Sequence, residues 1–283
     1  MGILIPPSTV MIIYAILTEQ PIETLFIAGI LPGVVLCGLF VLTVYVMAKL
    51  RPEIGPPGPK FTLKERVYSL KDTWSILLLF FIVIGGLYTG WFTPTEAAGV
   101  GAFGAFAITF VKRRLTWSNL TESLSQTTKT TAMVFLILIG AHIFGYFLTL
   151  SEIPEQLSIL ATEAGLNRYV ILSLIIVMYI ILGCFMEGLA IMVLTIPIIY
   201  PLVLDMGFDP IWFGVMITLV MEMSLITPPV GINVFIISGI SRDVPMYTIF
   251  RGILPFWFAI LACIIILMIF PQIALFLPNT MTS

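Results

Sequence analysis

A Pro-Pro pair stands inside each of two apolar stretches, Gly2-Ile-Leu-Ile-Pro-Pro-Ser8 and Ser224-Leu-Ile-Thr-Pro-Pro-Val-Gly231, that otherwise read as membrane-spanning helix. Two adjacent prolines remove two amide donors and clash with the preceding turn, so a helix has to stop there. In hydrocarbon, such a stop is tolerated only where the freed backbone is buried in protein or lines a cavity. Interrupted spans at matching places in two repeats point to a secondary transporter with its site at the interruptions.

Composition fits that reading. Apolar residues make up 59% of the chain and charged residues 10%, too little charge to cover a soluble domain of 283 residues. The expected class is an all-α polytopic membrane protein in contact with a lipid bilayer. A net charge of −2 excludes a nucleic-acid partner on electrostatic grounds. Cys37, Cys184 and Cys263 lie in apolar runs without a CxxC spacing and read as packing residues. His142 is the only histidine, so a His-based metal site or catalytic triad lacks its material. The chain is expected to be no enzyme and to hold no resident cofactor.

Apolar runs fall at about 8–18, 24–48, 75–92, 95–111, 131–150, 168–204, 210–241 and 252–276, judged against the roughly 20 residues a span requires. The 168–204 run is too long for one span and is interrupted at Gly183-Cys-Phe-Met-Glu-Gly188. It reads as two helices meeting at a kink, either a re-entrant hairpin or two ordinary spans. Alternating the loops puts Lys49, Arg51, Lys60, Lys64, Arg66, Lys71, Lys112, Arg113, Arg114, Lys129, Arg242 and Arg251 on one side. The other side keeps only Arg168 as a cation. The skew assigns the first side to the cytoplasm and sends the C-terminus outside.

Arg51–Pro59 is too rich in Pro and Gly for a helix. After it, 61–71 and 115–124 mix basic or polar residues with Phe61, Leu63, Val67, Leu70 and Trp117, as short helices lying on the membrane interface do. Thr93-Pro94-Thr95-Glu96 opens the helix that follows, with Thr93 as cap, Pro94 at the first position and Glu96 as a capping-box carboxylate.

The two interruptions lie over one another, Ile5-Pro-Pro-Ser8 on Thr227-Pro-Pro-Val230. Upstream of the second lies the 168–204 hairpin; upstream of the first lies nothing. Two inverted repeats would place a first hairpin before Met1, so the chain is expected to be a C-terminal portion or the product of a late start codon.

The segments Gly86-Leu-Tyr-Thr-Gly-Trp-Phe-Thr-Pro-Thr-Glu-Ala-Ala98, Gly183–Gly188 and Leu225-Ile-Thr-Pro-Pro-Val-Gly-Ile-Asn233, with the opening Ile-Leu-Ile-Pro-Pro-Ser, resemble the large membrane subunit of TRAP transporters, the DctM type. The resemblance runs through essentially the whole chain. It implies an ion-transporter type fold with inverted repeats, a re-entrant hairpin and broken helices. It also implies Na⁺-coupled uptake of a small organic acid by an elevator motion in a bacterial inner membrane. The partners would be a periplasmic solute-binding protein and a small membrane subunit of the DctQ type. A carrier of the same fold that needs no binding protein is the nearest alternative. The corresponding division is a first-repeat remnant over 1–18, a scaffold helix and cytoplasmic arm over 19–72, and second-repeat membrane helices over 73–166. The hairpin and broken helix follow over 167–241, then an interfacial segment and C-terminal scaffold helix over 242–283.

Carbonyls freed at a helix break suit a hard cation such as Na⁺. On that ground Ile226, Thr227, Gly231 and Asn233 form one expected site for Na⁺ or substrate, completed by Gly183, Met186 and Gly188 of the kink. Gly2, Ile5 and Ser8 form part of a symmetry-related site. Glu187 and Glu222 are carboxylates within apolar runs and are expected to tune the cation site or carry a proton, since a carboxylate repels an anionic cargo.

Overall fold

The computed structural model describes residues 2–53, 58, 62–163, 165–186, 188–228, 231, 233–234, 237–238 and 245–281. Expectations placed on Glu187, Arg242 and most of the Pro-rich 51–59 loop lie outside the described residues. Among these the chain is helical, with no strand. In order, the helices are α1 (Thr9–Thr18), α2 (Ile22–Leu50), α3 (Leu63–Tyr88), α4 (Pro94–Val111), α5 (Trp117–Ser151) and α6 (Ile153–Glu163). Then follow α7 (Arg168–Gly183), α8 (Gly188–Asp205), α9 (Pro210–Ser224), α10 (Met246–Ile269) and the short α11 (Gln272–Leu275). Among the described residues, α2, α4, α5, α8 and α10 are long and apolar enough to cross a bilayer. Many large side chains of α3, α4 and α5 point outward, among them Phe81, Phe103, Phe110 and Leu136. This is the surface of a polytopic membrane protein.

Contacts divide the chain into two compact units, Met1–Val46 with Ile137–Asn279, and Met47–Leu136 with Thr280–Ser283. The first unit is built around α9. Asp209 caps α9, its carboxylate accepting from the Ile211 and Trp212 amides at 2.8 and 2.9 Å, and Pro210 fills the first position. Nearly every later residue of α9 is buried, so this helix is apolar all round and enclosed by α1, α7, α8, α10 and α11. Two polar side chains tie it to its neighbours. The Tyr14 hydroxyl of α1 donates to the Pro210 carbonyl at 2.7 Å. The Trp212 indole donates to the Leu267 carbonyl of α10 at 2.9 Å. In a regular helix that carbonyl would accept from residue 271, but residue 271 is proline. Trp212 therefore supplies the donor that Pro271 lacks.

The two arms α7 and α8 pack on each other, and the Thr195 hydroxyl of α8 and the Tyr179 hydroxyl of α7 share a hydrogen bond at 2.6 Å. Helices α2 and α10 cross antiparallel. Phe40 meets Phe256 edge-on at 5.4 Å, and the Cys263 thiol lies 4.0 Å from the Pro32 carbonyl oxygen. The first unit holds α2 up to Val46 and α10 together with the hairpin and both interruptions.

In the second unit α3 and α4 pack together, and each starts on a capping box. Thr93 and Glu96 exchange the expected bonds at 2.9 and 3.3 Å. The expected interfacial helices over 61–71 and 115–124 are not separate elements. They are the first turns of α3 and α5, because no proline or glycine divides them from the apolar run that follows. In α5 the Thr121, Thr127 and Thr128 hydroxyls donate to carbonyls one turn back, so these hydroxyls are satisfied within the helix.

Thr62 and Glu65 form the second capping box. The Thr62 amide and hydroxyl both donate to the Glu65 carboxylate, at 2.7 and 2.9 Å, and hold its pKa below the usual glutamate value. A carboxyl with a depressed folded-state pKa stabilises above its unfolded value and stops doing so as pH falls through its folded one. Protection of the Thr62 amide, taken as its exchange relative to the intrinsic rate at each pH, is therefore expected to fall below about pH 4. In a Glu65→Gln variant that acid step should vanish.

Candidate functional site

Helix α9 ends where the second Pro-Pro pair begins. The Leu225, Ile226 and Thr227 amides turn back to the Met221, Met223 and Ser224 carbonyls at 3.3, 3.2 and 3.1 Å. The Asn233 amide then reaches the Leu225 carbonyl at 3.2 Å and closes a loop across the break. Among the described residues, no hydrogen bond is accepted by the Ile226 or Thr227 carbonyl. A helix of 15 residues is about 22 Å long, shorter than the roughly 30 Å hydrocarbon core. Helix α9 alone therefore does not span that core.

The hairpin tip meets this break. A Cβ at Gly183 would overlap the Ser224 Cβ, so only glycine lets α7 approach the end of α9. The Cys184 thiol donates to the Pro228 carbonyl at 3.1 Å. At the start of α8, a Cβ at Gly188 would stand 3.3 Å from the Met221 sulfur. Gly231 has φ +46, in the left-handed region, and its α-carbon faces Phe250 of α10 and the Thr227 carbonyl. The Thr227 hydroxyl donates to the Met223 carbonyl at 2.7 Å and accepts from the Trp257 indole at 3.0 Å.

The structure thus gathers Gly183, Gly188, Ile226, Thr227 and Gly231 around one break. Met186 is exposed at the tip, and Asn233 contributes its backbone amide. Glu222 is half-buried in the last turn of α9. The C-terminal end of a helix carries partial negative charge, and a carboxylate there adds to it, so this end attracts cations. Sequence reading missed Ser224, Phe250 and Trp257, and took Cys184 for packing alone. Only the Gly183-Cys184 adjacency at the kink marked one of them.

The first interruption forms a second group. Ser8 is buried and caps α1, its hydroxyl accepting from the Met11 amide at 3.3 Å, so its expected ligand oxygen serves as a helix cap. Ile5 packs on α2, where a Cβ at Gly33 would lie 2.7 Å from the Ile5 Cγ1. Gly2 is exposed with open space beside it.

Comparison with known proteins matches residues 1–273 to the family described as tripartite ATP-independent periplasmic transporter, DctM component. The chain is 38% identical over 280 residues to the C4-dicarboxylate TRAP transporter large permease protein DctM of Pseudomonas aeruginosa, covering 99% of this chain and 65% of that protein. It is 35% identical over 279 residues to the sialic acid TRAP transporter large permease protein SiaM of Vibrio cholerae, covering 98% and 65%. With the isethionate TRAP transporter permease protein DctMQ of Oleidesulfovibrio alaskensis the identity is 33%, covering 97% of this chain and 43% of that one. These relatives are transport permeases by name, not enzymes. The chain spans 65% of the length of the first two. On this match the chain belongs to the DctM family of TRAP-transporter membrane components.

Proposed function

We propose that this chain is the large membrane component of a Na⁺-coupled, binding-protein-dependent uptake system for a small organic acid. One observation carries the reading: the hairpin tip packs directly on a broken helix, through Gly183 against Ser224 and the Cys184 thiol on the Pro228 carbonyl. Two discontinuous elements meeting at depth are how carriers assemble an ion and substrate site. Backbone carbonyls and the Thr227 hydroxyl are hard oxygen ligands suited to Na⁺, and the negative end of α9 with Glu222 adds attraction for it. Three relatives are named for C4-dicarboxylate, sialic acid and isethionate, which supports an organic anion as cargo. The partners are a periplasmic solute-binding protein and a small membrane subunit. The setting is the bacterial inner membrane, with the C-terminus on the periplasmic side by the Lys and Arg bias. Cargo crosses by an elevator movement of the elements that carry the break.

Replacing Thr227 by valine removes a ligand oxygen, and leucine at Gly231 forces a Cβ into left-handed backbone 3.2 Å from Phe250. Both variants are expected to raise the Na⁺ concentration for half-maximal uptake by about 10-fold. Uptake in the assembled transport system over a Na⁺ series, with choline as the balancing cation, measures it. Unchanged Na⁺ dependence in both removes the site from the second interruption.

A further inference from the structure

The Thr227 hydroxyl is oriented from outside the break. Trp257 lies half-buried in α10, two residues past Pro255, and its indole N–H donates to Thr227 Oγ1 at 3.0 Å. An indole nitrogen is a donor and never an acceptor. Thr227 Oγ1 must therefore offer a lone pair to Trp257 and send its single proton elsewhere; the Met223 carbonyl receives it at 2.7 Å. A hydroxyl has two lone pairs. With one held by the indole and the proton fixed on Met223, a single acceptor position is left on an oxygen that can no longer rotate. Phe250 stands seven residues before Trp257 on the same face of α10 and touches the other end of the loop, at Gly231. One face of α10 thus braces the break at both Thr227 and Gly231.

The first interruption is built otherwise. In the register that lays Ile5 on Thr227, Val35 stands where Trp257 stands, and Ile5 meets α2 through apolar contact at Gly33. The polar brace is a property of the second interruption and follows from these residue types, not from the repeat.

We propose that Trp257 is a positioning residue for the coupling cation: by donating to Thr227 it fixes that hydroxyl as an acceptor and sets the Na⁺ affinity of the second interruption. The inference rests on the reading of that interruption as a Na⁺ site. It assigns the ligand-orienting role to a residue on another helix, whose side chain does not itself touch the ion.

The test is the Na⁺ dependence of the thermal unfolding midpoint of the purified protein, with choline as control, because a cation that binds the folded state raises the midpoint with its concentration. Trp257→Phe keeps a ring and deletes the donor. It is expected to weaken the apparent Na⁺ affinity about 3- to 10-fold, the worth of one buried hydrogen bond. A purely structural role predicts instead a lower midpoint at every Na⁺ concentration with the affinity unchanged, and that result overturns the inference. The double variant Thr227→Val with Trp257→Phe is expected to bind Na⁺ no more weakly than Thr227→Val alone; independent, multiplying losses also overturn it. Trp257→His, which restores a ring N–H, is expected to recover part of the affinity. Should the Phe variant not accumulate, Trp257→His replaces it, with a smaller loss expected against the parent and no loss overturning the inference. If Thr227→Val itself leaves Na⁺ affinity unchanged, the site reading fails and the inference with it. If Thr227→Val weakens binding and Trp257→Phe does not, only the inference fails.

Discussion

Truncating Trp212 to alanine is expected to cost about 3–5 kcal/mol of stability, the range for deleting a large buried aromatic. Trp212 is 2% exposed, stacks on Phe208 at 5.3 Å and donates to the Leu267 carbonyl. Its removal opens a cavity beside α9 and leaves that carbonyl without the donor that Pro271 already fails to supply. Trp212→Phe separates the two effects: most of the ring stays, and the loss should shrink to about 1–3 kcal/mol for the unsatisfied carbonyl. Denaturant unfolding of the detergent-purified protein measures both. Equal stability of the Ala and Phe variants would show that the ring packs less tightly than its burial indicates.

The second large effect belongs to Gly183. Any side chain there collides with Ser224, and valine is expected to drive the hairpin tip off the break, at an overpacking cost of about 1–3 kcal/mol. Because the displaced contact is the one that closes the proposed site, the Na⁺-dependent rise in unfolding midpoint should disappear as well. Gly183→Ala with Ser224→Gly returns the missing space and is expected to recover much of both. Ser224 can give up its side chain cheaply, since its hydroxyl donates only to the Met221 carbonyl of its own helix. A Gly183→Val protein with parental Na⁺ response would dissociate the tip from the site.

Much of this architecture is legible before any coordinates, because prolines, glycines and caps act locally. The start of α1 at Thr9 behind Ser8, the end of α9 at Ser224, the arms meeting near Gly183 and Gly188, and the Thr93–Glu96 box all follow from short-range chemistry. What stayed hidden depends on partners far away in sequence or on unmarked backbone. Helix α6 is separated from α5 by Glu152 at φ 54, a left-handed turn made without glycine or asparagine, and only Pro154 in its first turn marks the boundary in the residue types. It packs on α8. The continuity of α3 and α5 was concealed for the opposite reason: basic and polar residues suggested an element lying flat, while the backbone met no obstacle to going on. Trp212 to Leu267 and Trp257 to Thr227 join residues that no spacing rule connects.

The crossing of α2 and α10 carries an implication of its own. Its contacts, Phe40 with Phe256 and Pro32 with Cys263, lie on either side of a midpoint near Cys37 and Ala259. The register that pairs Ile5 with Thr227 also pairs Cys37 with Ala259. That centring is what two inverted repeats packed about a local two-fold axis would give.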